Sequence, residues 1–247
     1  QNINFKGQFN TIILTSNDAP NNWHTHESVF GYLPTLSLKK ETSKNKLFDF
    51  EWAYNLKRYY VGDSLYNNNE NNHRLWIRYS YDKIEARFGL QKIVFGPTQI
   101  LRPLSWFDTF DLKDPTGQTN GVEALRLRWF PSNNIGLSSW IINNKLNTLT
   151  YGGRGEFSTS LGDFGVTYHK DPSKSRQLIG QIGSPIINSH QRIAFDYRFD
   201  GFIGFWNESA AIKSDKSNIN LFSIGADYTL PFFNGILIMT ESMYIQN

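Results

Sequence analysis

The sequence contains no cysteine, so a disulfide framework and thiolate metal sites are excluded. It has no run approaching the ~20 apolar residues of a membrane-spanning helix. Neither charge sign prevails: 25 Lys and Arg against 22 Asp and Glu leave a formal +3. Without a basic run, that balance gives no footprint for nucleic acid, and none is expected as a partner. No Pro/Ser linker or shift in composition divides the chain, so residues 1–247 are expected to form a single domain. A helical period of useful length is missing, as is any fixed repeat. Phosphate-binding loops and dinucleotide fingerprints are also missing; "GGRG" at 152–155 reads as strand. The chain opens on Gln1 without a signal-peptide pattern, which fits an exported protein after signal removal.

What is present is aromatic. Phe, Trp and Tyr make up 15% of the chain, yet mean hydropathy is negative. Such a balance is expected of a wall whose two faces meet different solvents. The dominant period is two. Phe48, Phe50, Trp52, Tyr54 and Leu56 alternate with Asp49, Glu51, Ala53, Asn55 and Lys57. "RLWIRYSY", "KIEARFGLQ", "EALRLRWF", "QRIAFDYRFD" and "NLFSIGADYTL" repeat the scheme. Counting less regular stretches, the pattern gives about 13 strands. Short turns ("SYDK", "FPSNN", "SLGD", "FDG", "PFFNG") roughly alternate with long polar connections at 16–27, 61–73 and 170–190. One rim is therefore expected to be trimmed and the other elaborated.

A soluble sandwich or barrel buries its apolar face, while a transmembrane barrel turns it out to lipid. Three features favour the second. The strands approach the 9–11 residues that a tilted membrane strand requires. Aromatics stand at strand ends (Tyr59, Tyr60, Trp129, Phe130, Phe232, Phe233), as an interfacial girdle would. The polar face carries repeated Arg and Asp. The fold class expected is all-β, an antiparallel transmembrane β-barrel. Bacterial barrels normally have an even strand number, so about 14 or more strands are expected. Either one strand is hidden, with "RQLIGQIG" the candidate, or the chain is incomplete at the C-terminus.

Residues 87–131 carry a further pattern. Arg87-x-Gly89-x-Gln91-Lys92 is followed by Phe95-Gly96 and an apolar loop with Pro103 and Asp108. Asp111, Asp114-Pro115 and then Gly121-Val122-x-Ala124-Leu125-Arg126-Leu127 and Pro131 complete it. This resembles the porin-like outer-membrane proteins of Gram-negative bacteria, with Phe95 where their Trp is usual. "HQRIAFDYRFDGFIGFWNESA" (190–210) is similar to a later hairpin of such barrels. The resemblance implies a water-filled passage in the outer membrane for ions or small polar or anionic solutes, with lipid around it. A homo-oligomer or larger membrane protein complex is compatible with it. It also implies that residues 97–119 fold into the lumen as a constriction or plug. A cap over the barrel or a contact with a neighbouring subunit are the alternatives for that loop.

Candidate lumen and constriction residues are Arg74, Arg78, Arg87, Arg102, Asp108, Asp111, Arg126, Arg128, Arg192 and Arg198. Arg154 and the carboxylates Asp49, Glu51, Glu85, Glu156, Asp196 and Asp227 share the polar face. They form either an aqueous lumen with a mild anion bias or an ion-pair network that fills a narrow barrel. "HTHE" at 24–27 has two His and an acid but no further partner ligand, and Asp108, Asp111 and Asp114 lack the spacing of a calcium loop. No metal or cofactor is therefore expected. His169, His190, Ser184, Ser189, Asp163 and Asp171 cluster in the sequence without a nucleophile motif, so no enzyme is expected. The runner-up is a non-transporting accessory barrel with the same loop as its plug.

Overall fold

The computed structural model describes every residue except 1, 20–22, 109–116, 175–176, 180–183, 187–188, 233 and 247. Among the described residues there are fifteen strands. They are β1 (Asn2–Thr15), β2 (His26–Ser43), β3 (Lys46–Val61), β4 (Ser64–Tyr81), β5 (Ile84–Gln91), β6 (Val122–Ser132), β7 (Ile135–Asn143) and β8 (Leu149–Thr159). Then follow β9 (Gly162–Asp171), β10 (Gln177–Ile179), β11 (Ser184–Ile186), β12 (His190–Asp200), β13 (Gly204–Ser214), β14 (Asn218–Leu230) and β15 (Ile236–Gln246).

Thirteen of them form one antiparallel sheet in sequence order, each strand beside the next. The extra strand sought in "RQLIGQIG" is half of a separate hairpin, β10–β11, inside the connection from β9 to β12. Among the described residues β1 and β15 do not pair, so the closure expected of a barrel is not made between them.

Six turns lie at one end of the sheet, at 44–45, 82–83, 133–134, 160–161, 201–203 and 231–235, all short. The three long connections, 16–25, 92–121 and 172–189, all leave from the other end. Asp82 adopts φ 49°, the left-handed backbone that a two-residue hairpin turn demands. The trimmed and elaborated rims expected from the sequence are thus present, with one correction. The asparagine-rich stretch 61–73 is not a long loop. The chain reverses over Gly62 (φ 60°) and Asp63, and residues 64–72 continue β4. From Asn67 to Asn72 both faces are polar, so the tall β3–β4 hairpin reaches beyond the apolar belt.

The exposure of the wall is inverted relative to a soluble sheet. Phe5 (65%), Phe88 (61%), Ile193 (56%) and Ile238 (53%) stand bare on the outer face. Asp49, Arg74, Arg154, Arg192 and Glu208 are buried on the other. A belt of exposed aromatic and aliphatic side chains this extensive requires lipid or protein around it. Trp129 (51%) and Phe232 (59%) fit the expected girdle. Tyr59 does not, because it shares a rung with inward-facing Asn67. Phe130 sits under the guanidinium of Arg128, 4.7 Å away.

The described parts of the connection, residues 92–108 and 117–121, run along the polar face and touch β1, β4, β7, β9, β13 and β15. Laid flat, thirteen strands would span roughly 60 Å. One short segment reaches both edges and the middle, so the polar face is concave and curls around it.

Candidate functional site: a segment inserted in the lumen

The inserted segment is built around apolar side chains. Phe95 stacks at 5.0 Å from Trp140 of β7, and Phe107 lies 4.8 Å from His169 of β9. Ile93, Leu104 and Trp106 join Ile142, Ile212, Ile219 and Leu221 in one buried cluster. Aromatic pairs at these separations add to plain area burial. Arg154 and Arg192 cover the rings of Phe95 and Trp106, at 5.4 and 5.6 Å.

Two carboxylates of the wall hold its backbone. Glu208, fully buried on β13, accepts from the N–H of Thr98 (2.9 Å) and of Leu104 (3.0 Å) and from the Thr98 hydroxyl. Glu241 of β15 accepts from the N–H groups of Gln99, Ile100 and Leu101 at 2.7–2.9 Å and from Trp206 Nε1 at 3.0 Å. The segment has no ladder of its own over these residues. Buried backbone donors need acceptors, and the carboxylates provide them with charge-assisted bonds. Sequence reasoning missed both acids. The signal was there for Glu208: one acid at an inward position between Trp206 and Ala210.

All seven wall arginines among the candidates lie on the inner face. Arg78, Arg87 and Arg126 are direct neighbours across β4, β5 and β6. Arg128, one rung away, faces Glu85. Their charges are matched unequally. Arg78 donates to Asp49 (2.8 Å) and Glu85 (3.1 Å). Arg87 approaches Glu85 at 3.6 Å and stacks 4.4 Å over Trp76. Arg128 is 3.8 Å from Glu156. Arg126 has no ion pair among the described residues, and its Nε has no hydrogen-bond partner. Within the cluster of Arg78, Arg87, Arg126 and Arg128, Arg126 is thus the one guanidinium without an ion pair among the described residues.

The other candidates are not brought to that cluster. Arg74 donates to the carbonyls of His73 and Thr119 and so clamps the returning leg of the segment. Arg192 is buried and donates to His190 Nε2 at 3.1 Å. Arg198 pairs with Asp200 at 2.7 Å near the short-turn end. Arg102 and Asp108 form a buried pair with each other at 2.7 Å, so their charges stay inside the segment. Asp111 lies outside the described residues, as does Asp114. Arg154, with Asp196 (2.9 Å) and Glu156 (3.0 Å), is matched by two carboxylates, as Arg78 is.

His169 and His190 are buried, His169 accepting from Trp140 Nε1 at 3.1 Å. Asp171 holds the Ser173 N–H at 2.9 Å. His26 lies 3.9 Å from Asp63. Among the described residues no group of three or more His, Asp or Glu is placed to hold a metal ion.

Opposite the packed side, between β1–β4 and the returning leg, the interior is open. One cavity of about 280 Å³ is lined by Lys6, Thr35, Glu51 and Arg74 among others. A smaller one, about 60 Å³, lies towards the long-loop end and shares Gln8, Leu33, His73 and Gln118 with it.

The chain is similar to a porin. A mutant form of the Rh. blastica porin shares 11% identity over 98% of this chain and 94% of that one, with a TM-score of 0.47. OmpT, an outer membrane protein of Vibrio cholerae in its trimer form, shares 10% over 99% and 88%, with a TM-score of 0.39. OprB of Pseudomonas putida in its low-pH structure shares 11% over 99% and 86%, at 0.34. No family model matches the sequence, and no curated protein does.

Proposed function

We propose that this chain is a porin-like channel of the Gram-negative outer membrane. Lipid surrounds the apolar outer face, and ions or small polar solutes diffuse through the interior. The observation that carries this reading is the segment 92–121, folded inside an inverted wall and held there by Glu208 and Glu241. It fills the side of β6–β9 and β12–β14 and leaves the side of β1–β5 open. The passage runs along that open side. The triplet Arg87, Arg126 and Arg128 at its margin gives it a mild preference for anions.

A second reading has one observation in its favour. The packed side is dry and continuous, as a plug in an accessory barrel would be. Single-channel recording in planar bilayers under a salt gradient separates the two. Discrete steps with a reversal potential on the anion side are expected. Folded, detergent-soluble protein that gives no steps would leave only the accessory role.

A further inference from the structure

The outer wall changes character at its rim. At the long-loop end one rung of outward positions runs through Tyr151, Lys170, Gln191, Lys213 and Asn218, across β8, β9, β12, β13 and β14. Their facing follows from their neighbours in the chain: His169, Asp171, His190, Arg192 and Ile212 are all buried in the interior. Lys170 and Lys213 stand two strands apart, about 10 Å, with Gln191 between them. Among the described residues neither lysine has an ion pair. The outward positions of β9, β12 and β13 carry no carboxylate. The rim of β6 and β7, by contrast, presents Glu123 beside Asn143. Tyr168 donates to Gln191 Oε1 at 3.2 Å, which leaves the Nε2 donors of that carboxamide for another acceptor.

Directly below the basic rung the wall is grooved. Ile193, Ala211 and Asn220 share the next outward rung, and Phe195, Ser209 and Phe222 the one after. Small side chains of β13 therefore lie between larger ones of β12 and β14. The groove has a volume of about 460 Å³, and Ser209 and Asn220 are the polar residues of its lining.

Groove and rung together describe one kind of occupant. A lysine at the edge of an apolar belt lays its stem along the belt and carries its ammonium to the level of the lipid headgroups. Two such ammonium groups above an apolar groove complement a molecule with an anionic head and an apolar tail. Clustered basic groups beside a membrane-spanning wall recognise phosphate on lipid heads, and lysine meets it as a point charge. We propose that Lys170, Gln191 and Lys213 seat the phosphate of a lipid in the leaflet at the long-loop end, with an acyl chain of that lipid lying in the groove along β13. The site is on the outer wall and does not depend on whether the interior conducts.

Native mass spectrometry of the detergent-folded protein, titrated with dioleoyl phosphatidic acid, tests this. Dioleoyl phosphatidylcholine supplies the same chains without net charge, and inorganic phosphate supplies the charge without a chain. One phosphatidic acid per chain is expected to stay bound at concentrations where phosphatidylcholine does not. Lys170→Gln/Lys213→Gln should weaken its binding about tenfold or more. Ala211→Phe, which fills the groove, should weaken it as well, while Lys46→Gln/Lys83→Gln at the short-turn end should leave it unchanged. Equal retention of phosphatidylcholine, or undiminished binding in either the Lys170→Gln/Lys213→Gln or the Ala211→Phe variant, overturns the site. Displacement by an equal concentration of inorganic phosphate overturns the lipid as its ligand. None of these readouts needs a current, so a protein that fails to conduct still decides the site.

Discussion

The two sides of the interior come from the same alternating pattern and solve opposite problems. On β7, β13 and β14 the inward positions include Trp140, Ile142, Trp206, Ile212, Ile219 and Leu221, all nearly inaccessible. On β1–β5, among the described residues, Ala53 alone is a buried apolar side chain. The inserted segment carries Phe95, Leu104, Trp106 and Phe107 and has only one side on which to bury them. Packing therefore decides where the segment lies, and the polarity of β1–β5 decides where water remains. One side resists deformation because its contacts are apolar and dense. The other can be altered without touching that core, which leaves it available for solute chemistry.

The comparison makes graded predictions. Trp140→Ala should have the largest effect. It removes the ring that joins Phe95, Phe107 and His169, and such truncations cost about 3–5 kcal/mol. The urea midpoint of the detergent-folded protein should fall accordingly, and a drop no larger than that of a surface variant would break the distinction between the sides. Glu208→Ala comes next. It strands the Thr98 and Leu104 N–H groups, at about 1–3 kcal/mol. Beyond the loss of stability, a freed segment should give larger and noisier current steps; unchanged steps would show that Glu241 suffices.

Arg126→Ala/Arg128→Ala should leave stability nearly intact, since Arg126 has no ion pair to lose among the described residues and Glu156, released by Arg128, keeps its shorter pair with Arg154. Anion preference should fall roughly two- to fivefold, the scale of a charge acting through water at a few ångströms. A reversal potential identical to wild type would place the ion path away from this triplet. The smallest effect is expected for Asn55→Ala, within about 0.5 kcal/mol. A loss clearly above that would mean that the open side also supports the fold.

Much of the wall was legible in the sequence. The facing of Arg74, Arg78, Arg87, Arg126, Arg128, Arg192 and Arg198 follows from a period of two, which each strand carries locally. The stretch 64–72 was misread because asparagine is poor in isolated strands. Pairing with β3 along its length holds it extended all the same. Glu208 and Glu241 went unnoticed because their role depends on a segment more than 100 residues away. The pairing of Arg102 with Asp108 within the segment was hidden for a related reason. Their spacing is compatible with facing a passage, and only the fold of the loop turns them towards each other.

By itself, then, the sequence determined the strands, their two faces, the trimmed and elaborated rims, and the presence of one apolar connection after β5. These are local properties, set by alternation and turn residues. The tertiary structure decided that the polar face is the concave one and that the connection lies inside it. It also decided which guanidinium of the β4–β6 cluster is left without a carboxylate. Alternation cannot make these choices, because a period of two reads the same with either face inward. They are settled by which distant residues the curled sheet brings within reach of residues 92–121.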